Sequence, residues 1–316
     1  MAVVFRDVLQ RRKAEEALRD SEERQAFLLK LSDALRPLSA PSDVAETACR
    51  VLVEHLGASR AQLTEVTGEP GAEVGETRGQ YVRSGQGMPK RYLLKLFGEQ
   101  LVAILRTGHS LVLSNTANDP RLSQAQREAF SHAESPSAIT VPLIKEGCFV
   151  ANLTVHDHKP REWTANEIIF VEETAERTWA AMERARAEET LREREADLAR
   201  VQRIGEVGGL DIDIAQGLRS VRSPEYLRLH GLPQDGREES HADWLARVHP
   251  DDRHPAERAL FDALESDGFS YDGEYRIIRP SDGAVRWIHA RADIERDGDG
   301  KAVRLVGAHT DVTEQK

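Results

Sequence analysis

The sequence predicts an α+β protein of two modules, each a central antiparallel sheet with flanking helices, joined by long helices. Three observations predict it. The Glu-, Ala-, Arg- and Leu-rich residues Ala14–Glu23 return in similar form as Ala187–Ala196, and neither copy holds Gly or Pro, as suits an exposed helix. Strand-like segments are paired through short turns at Glu146-Gly147 and Asp282-Gly283, which mark hairpins. Between the copies, Ile168, Val171, Ala175, Thr178, Met182 and Ala185 recur at 3/4 spacing, the stripe of a helix packed on a partner.

Bulk properties narrow the function classes. The chain of 316 residues suffices for two domains of ordinary size. No apolar run reaches the ~18 residues that a membrane span needs, and Met1–Arg6 lacks the long apolar stretch of a secretory signal. Only two cysteines occur, Cys49 and Cys148, far apart, which excludes a disulfide framework and suits a reducing cytosol. The expected location is therefore cytoplasmic. Net charge is −11 and basic residues alternate with acidic ones, so a phosphate-tracking stripe is missing and nucleic acid is not an expected partner.

Along the chain, Leu28, Leu31, Leu35 and Leu38 predict a helix, and Val44, Ala48, Val51 and Leu52 continue its apolar face after Pro41 until Gly57. Arg60–Val66 reads as a strand, residues 68–87 as a Gly-rich stretch, and residues 89–107 as an amphipathic helix stopped by Gly108. Ser110–Ser114 is a short strand, Asn118-Asp119-Pro120 a turn, and Ala138–Lys145 with Cys148–Asp157 a hairpin. Thr164 and Glu167 form a capping box that opens the long striped helix. After Ala185 the stripe loses phase and resumes at Leu191, Leu198 and Val201; a lone helix of this length buries too little, which predicts a parallel homodimer. In the last third, Leu210, Ile212 and Ile214 alternate with Asp211 and Asp213 as a half-buried strand. A helical region at 223–232, a helix opened by His249-Pro250 and running through Leu264, and three strands at 270–279, 284–295 and 301–312 follow. Asp282-Gly283 and either Asp297-Gly298 or Asp299-Gly300 supply the turns of that meander.

With these residues in view the chain resembles a GAF–PAS pair from a bacterial sensor histidine kinase. The PAS resemblance rests on Trp244, His249-Pro250-Asp251-Asp252-Arg253, Tyr275–Arg279, Asp282-Gly283 and Arg286-Trp287-Ile288, closing with the PAC-like Gly307 and Thr310-Asp311-Val312-Thr313-Glu314. The GAF resemblance rests on Asn118–Leu122, Val141-Pro142-Leu143, Trp163–Glu167 and the exit helix Ala175–Ala181. Residues 1–10 are similar to the tail of a preceding PAS domain, echoing the chain's end. The division expected is 1–26 for that tail plus a linker helix, 27–185 GAF-like, 175–202 a connecting signalling helix, and 203–316 PAS-like.

The resemblance implies sensory input and relay without a catalytic centre, with an output domain or kinase beyond Lys316. A relay requires a bistable element. The phase break around Met182, Ala185 and Leu191 is the candidate, with Asp311 and Thr313 coupling the last strand to a following helix. Candidate ligand-pocket residues are Tyr226, Leu227, His230, Trp244, Tyr275, Ile277, Trp287 and Ile288, and on the GAF side Cys148; an all-core reading of them is the plainer one. The ligand is unidentified and no cofactor is specified. Cys148 on a strand is by default a buried thiol, and His230 by default a satisfied histidine and not a haem ligand.

Other chemistry is weaker. Ser131–Pro136 has a faint likeness to a phosphoacceptor motif, but Ser135-Pro136 breaks the helix such a histidine needs. His156-Asp157-His158 lacks a third metal ligand, and His249, Asp251, Asp252 and His254 match a helix start. Gly85-Gln86-Gly87 has neither the strand nor the helix of a dinucleotide loop. Two rivals stay open: the input region of a cyclic-dinucleotide enzyme, and a GAF-type methionine sulfoxide reductase using Cys148, for which Cys49 shows no sign of pairing.

Overall fold

A computed structural model describes residues 2–215 and 217–316, with the side chains of residues 2–14, 16 and 17 outside that description. The expected tail of a preceding domain at residues 1–10 therefore lies outside the residues described in full. The chain divides into two compact units, Met1–Thr190 and Leu191–Lys316.

Unit one runs α1 (Ala2–Leu35), α2 (Pro41–Leu56), β1 (Arg60–Thr67), β2 (Val74–Val82), β3 (Arg91–Leu93), α3 (Glu99–Arg106), β4 (Leu111–Leu113), α4 (Gln124–His132), β5 (Ser137–Lys145) and β6 (Cys148–Asp157), then enters α5 (Ala165–Ile204). The sheet order is β3-β2-β1-β6-β5-β4. Strand alternation gives the sheet two chemically different faces. Ala61, Leu63, Ile139, Val141, Leu143, Ala151, Leu153 and Val155 form one, and pack with Phe27, Leu31 and Leu35 of α1, Val44, Ala48 and Leu52 of α2, and Val171, Ala175 and Met182 of α5. The opposite face carries Gln62, Thr64, Thr140, Asn152, Thr154 and His156, all in register across β1, β6 and β5.

Local chemistry sets the element ends. Gly57 closes α2 in the left-handed region at φ 64°, and Glu146 and Gly147 both take positive φ in the β5–β6 hairpin, as a two-residue turn requires. At the start of α5, Glu167 N–H donates to Thr164 Oγ1 (3.2 Å) and Thr164 N–H to Glu167 Oε2 (2.7 Å), completing the capping box.

Three expectations are corrected in this unit, and one helix is added. The Gly-rich stretch holds β2; Gly79 lies where the α2 backbone presses on the strand, and a Cβ there would meet Glu46 N at 2.5 Å. Residues 89–107 form β3, a 3-10 turn over Leu94–Phe97 and the short α3, because Gly98 takes φ 111° and interrupts the helix. An unexpected helix, α4, opens on a capping box of Ser123 and Gln126. The stripe of α5 faces its own unit: Val171, Ala175, Thr178, Met182 and Ala185 are fully buried in this chain, not set toward a second one. Leu191, Leu198, Val201 and Ile204 are exposed.

Unit two continues with β7 (Val207–Asp213), β8 (Arg219–Arg222), α6 (Pro224–His230), α7 (His241–Arg247), α8 (Arg253–Glu265), β9 (Ser270–Ile278), β10 (Val285–Arg296) and β11 (Ala302–Asp311). The expected meander is the β9–β10–β11 half of a five-stranded antiparallel sheet ordered β8-β7-β11-β10-β9. Gly283 and Gly300 take positive φ and Gly298 does not, so Asp299-Gly300 makes the second turn. The helix expected from His249 begins at Arg253 after a 3-10 turn over Pro250–Asp252. Among the described residues, no helix is long and apolar enough to cross a membrane.

Candidate ligand cavities

Each unit holds a cavity on the inner face of its sheet. In unit one it measures about 70 Å³. The sheet supplies a polar floor of Gln62, Thr140, Asn152, Thr154 and His156; Met88, Leu94, Phe97, Leu101, Leu105 and Phe130 close it with apolar side chains. His156 Nδ1 bonds Ser135 Oγ at 2.6 Å, while its Nε2 and the Oε1 of Gln62 are buried without a partner. Burial, then the nearby Arg60 guanidinium, holds His156 well below the usual imidazole range, so the ring is neutral. Two unsatisfied polar atoms in a mostly apolar hollow are what a small hydrogen-bonding ligand would complete.

The unit-two cavity measures about 40 Å³ and is lined by Tyr226, Trp244, Tyr271 and Tyr275 with Leu210, Leu260 and Leu305. Behind the aromatic wall runs a buried chain of polar groups. Trp244 Nε1 donates to Tyr275 Oη (3.0 Å), Tyr275 Oη bonds His309 Nε2 (3.3 Å), and His309 Nδ1 bonds His230 Nε2 (2.9 Å). His230 also stacks on Tyr226 with ring centroids 4.0 Å apart. Burial, then Arg222 and Arg247, pushes His309 down to about 3; burial, then His309, lowers His230 well below its ordinary value. Both rings are therefore neutral, so one proton sits between them and its donor fixes the tautomer of the other. Beside this chain, Glu239 receives Arg222 Nε (2.8 Å) and pairs with Arg247.

The structure disperses the sequence-derived candidates. Tyr226, Trp244 and Tyr275 line the cavity, and His230 stands one residue behind it, its Nε2 engaged by His309. Ile277 and Ile288 are fully buried core outside the lining, and Leu227 is half-buried against that core. Trp287 lies beneath the Arg276 guanidinium and the Lys316 ammonium, away from the cavity. Cys148 is corrected outright: it opens β6 beside the hairpin turn and is exposed, neither buried nor in a pocket. Cys49 is buried, with its Sγ 3.8 Å from Gly79 O, a poor position for a resolving thiol. His156 faces inward while His158 bonds Ser59 Oγ (2.5 Å), so the two imidazoles are held apart; among the described residues no His, Cys, Asp and Glu cluster suits a metal.

Of the relay candidates, Met182 and Ala185 are core of unit one and Leu191 is exposed on the same helix. Thr313 N–H donates to Asp311 Oδ1 (2.9 Å), and Trp287 N–H donates to Thr313 Oγ1 (2.9 Å), tying the end of β11 to the start of β10. A 3-10 turn follows over Thr313–Gln315, to which Thr313 gives no N-cap bond. Gln62, Arg222, Glu239, Arg247 and His309 escaped the sequence reading. The one signal for Gln62 was polar residues at every second position of an otherwise apolar strand.

Residues 40–182 match the GAF domain family and residues 220–309 the PAS fold family. The sensor protein FixL of Bradyrhizobium diazoefficiens is 38% identical over 88 residues, which are 28% of this chain and 17% of that protein's length. Among solved structures, a sensory box histidine kinase/response regulator from Burkholderia thailandensis is 29% identical over 36% of this chain and 82% of that one, with a TM-score of 0.32. The blue-light absorbing form of the Thermosynechococcus elongatus PixJ GAF domain is 18% identical over 48% of this chain and 91% of that one, with a TM-score of 0.41. Two antiparallel sheets with flanking helices, the first inside the GAF match and the second overlapping the PAS match, identify the chain as a GAF–PAS sensory region of a signalling protein.

Proposed function

We propose that this chain is the input region of a two-component sensor histidine kinase, cytoplasmic and without a catalytic centre of its own. Ligand occupancy of the cavities is relayed through α5 within a homodimer. The observation that carries this reading is the division of α5. Its first half, through Ala185, is built into the GAF core, while Leu191, Leu198 and Val201 form an exposed apolar stripe. A shift in the packing of Met182 and Ala185 moves a rigid helix, and the exposed stripe gives a second copy a seam on which to register that movement. The FixL likeness supports the kinase as output.

Light scattering tests the dimer. The chain is expected to run as a dimer and a Leu191→Glu/Leu198→Glu variant as a monomer; a monomeric parent chain defeats the relay. Incubation with labelled ATP is expected to leave the chain unlabelled, and label on a histidine refutes the non-catalytic assignment. Where coding sequence continues past Lys316, a phosphoacceptor helix pair and an ATP-binding domain are expected in it; a cyclic-dinucleotide synthase there replaces the kinase reading.

A further inference from the structure

We propose that the PAS cavity binds a small carboxylate monoanion, held by Arg222. This rests on the ligand-sensing reading above and names the chemistry of one of its two sites.

Two guanidiniums are packed beside the cavity, their side chains only 6% (Arg222) and 8% (Arg247) exposed, and the single carboxylate between them is Glu239. The remaining acids near by are committed elsewhere: Glu225 to Arg228, and Asp272 to His289 and Arg291 at the surface. Arg279, behind His230, pairs with Asp282. Within the Arg222–Glu239–Arg247 group the interior thus carries one positive charge in excess, and an unpaired buried charge is costly until an anion meets it.

Arg222 gives Nε and Nη2 to Glu239, at 2.8 Å each, and stacks on Tyr226 with 4.6 Å to the ring centroid. Its remaining nitrogen, Nη1, is buried without a partner, and Arg222 is among the residues that line the cavity. A guanidinium already fixed on one side by a carboxylate, with a free N–H on the other, is a preorganised anion donor. Elsewhere in the lining Arg291 is paired with Asp272 and His241 with Glu257, and no carboxylate is present, which tells against a cation and against a second negative charge. Tyr226, Trp244, Tyr275 and Leu305 offer a flat apolar body site, and His309 is neutral, so one negative charge balances the pocket and two exceed it.

A cavity of about 40 Å³ has room for about three water-sized groups. Formate, with three non-hydrogen atoms, fits that room, and acetate, with four, fills it.

The test is isothermal titration of the whole chain with acetate and with acetamide, at constant ionic strength, alongside thermal melts. Acetate is expected to bind saturably and to raise the melting transition of the PAS unit, and acetamide, of the same shape without the charge, to do neither. Arg222→Gln, which removes the charge, is expected to weaken acetate about tenfold or more. Because that variant also loses the grip on Glu239, Glu239→Gln provides the independent arm: it leaves Arg222 in place, raises the buried positive charge, and is expected to bind acetate several-fold tighter. Equal binding of acetamide, or weaker binding by Glu239→Gln, overturns the charge argument while leaving ligand sensing intact. Nitrate bound more tightly than any short carboxylate overturns the carboxylate assignment. The absence of saturable binding by formate, acetate and propionate overturns the proposal as a whole, whereas the relay through α5 stands or falls separately on the light scattering.

Discussion

Replacing Tyr275 with Phe isolates the buried polar chain of the PAS domain from its packing. The ring stays, and with it the edge-to-face contact with Trp244 at 5.6 Å between centroids; only the hydroxyl goes. That hydroxyl accepts from Trp244 Nε1 at 3.0 Å and bonds His309 Nε2 at 3.3 Å, so its removal strands two partners in a region sealed from solvent. A stranded buried group costs ~1–3 kcal/mol, but the 3.3 Å bond is long and the adjoining cavity of about 40 Å³ can admit a water, so the lower end applies to each. The expected loss is about 2 kcal/mol, and at ~3–5 °C per kcal/mol for a unit of this size the PAS melting transition falls by about 6–10 °C. Differential scanning calorimetry of the whole chain reads it, with the GAF transition as internal reference. A fall below ~2 °C shows that the chain of groups contributes little, and an equal fall in both transitions shows that the two units do not melt as the separate cores their packing describes.

Three further outcomes follow from the same structure. Gly79→Ala sets a methyl 2.5 Å from the backbone nitrogen of Glu46, forcing α2 off β2; a loss of ~1–3 kcal/mol in the GAF transition is expected in urea melts, and an unchanged midpoint refutes the close approach. His156, His230 and His309 stay neutral in the native chain while unfolded histidines take a proton near 6.5. The unfolded state therefore binds more protons below that pH. Stability is level above about pH 7 and falls as pH drops from 6.5 toward 5, before surface carboxylates begin to titrate, by up to ~1.4 kcal/mol per pH unit for each histidine; a urea midpoint equal at pH 7 and pH 5.5 contradicts this. Native protein is expected to react with a thiol reagent at Cys148 alone, since burial pushes the Cys49 thiol up to about 12 and shields it; two labelled cysteines before unfolding refute that placement.

What the sequence disclosed was set by how local each signal is. The hairpins at Glu146-Gly147 and Asp282-Gly283 were legible because period-2 alternation and a positive-φ turn are contained in a few residues. The stripe of α5 was legible as a buried face, yet its partner was not, because periodicity reports which residues leave water and not what they meet. β2 was hidden by Gly75 and Gly79, which look like loop residues until the close approach of α2 explains Gly79. Residues 89–107 kept an apolar period across Gly98 and so imitated one helix. In the PAS cavity, Tyr226, Trp244 and Tyr275 could be found as aromatics, but Arg222, Glu239 and Arg247 have the composition of surface. Their burial arises only when β8 and α7 bring together residues up to 25 positions apart.

The faces of α5 decide whether one helix could serve both the GAF core and the proposed seam. At about 100° per residue, Val171, Ala175, Thr178, Met182 and Ala185 fall within roughly a quarter-turn of one another, and they are the fully buried side. Leu191, Leu198 and Val201 also cluster within about a quarter-turn, but centred on roughly the opposite side. The change after Ala185 is therefore a reversal of the apolar face and more than a slipped register. A continuation of the first stripe would have placed apolar residues at Glu189 and Arg192, where charged side chains stand exposed. A partner helix laid along Leu191, Leu198 and Val201 would thus not compete with the GAF core for the same surface. In the proposed homodimer, core packing and seam packing would each be satisfied in full, and the rigid turns between them would make a displacement of Met182 or Ala185 a displacement of the seam.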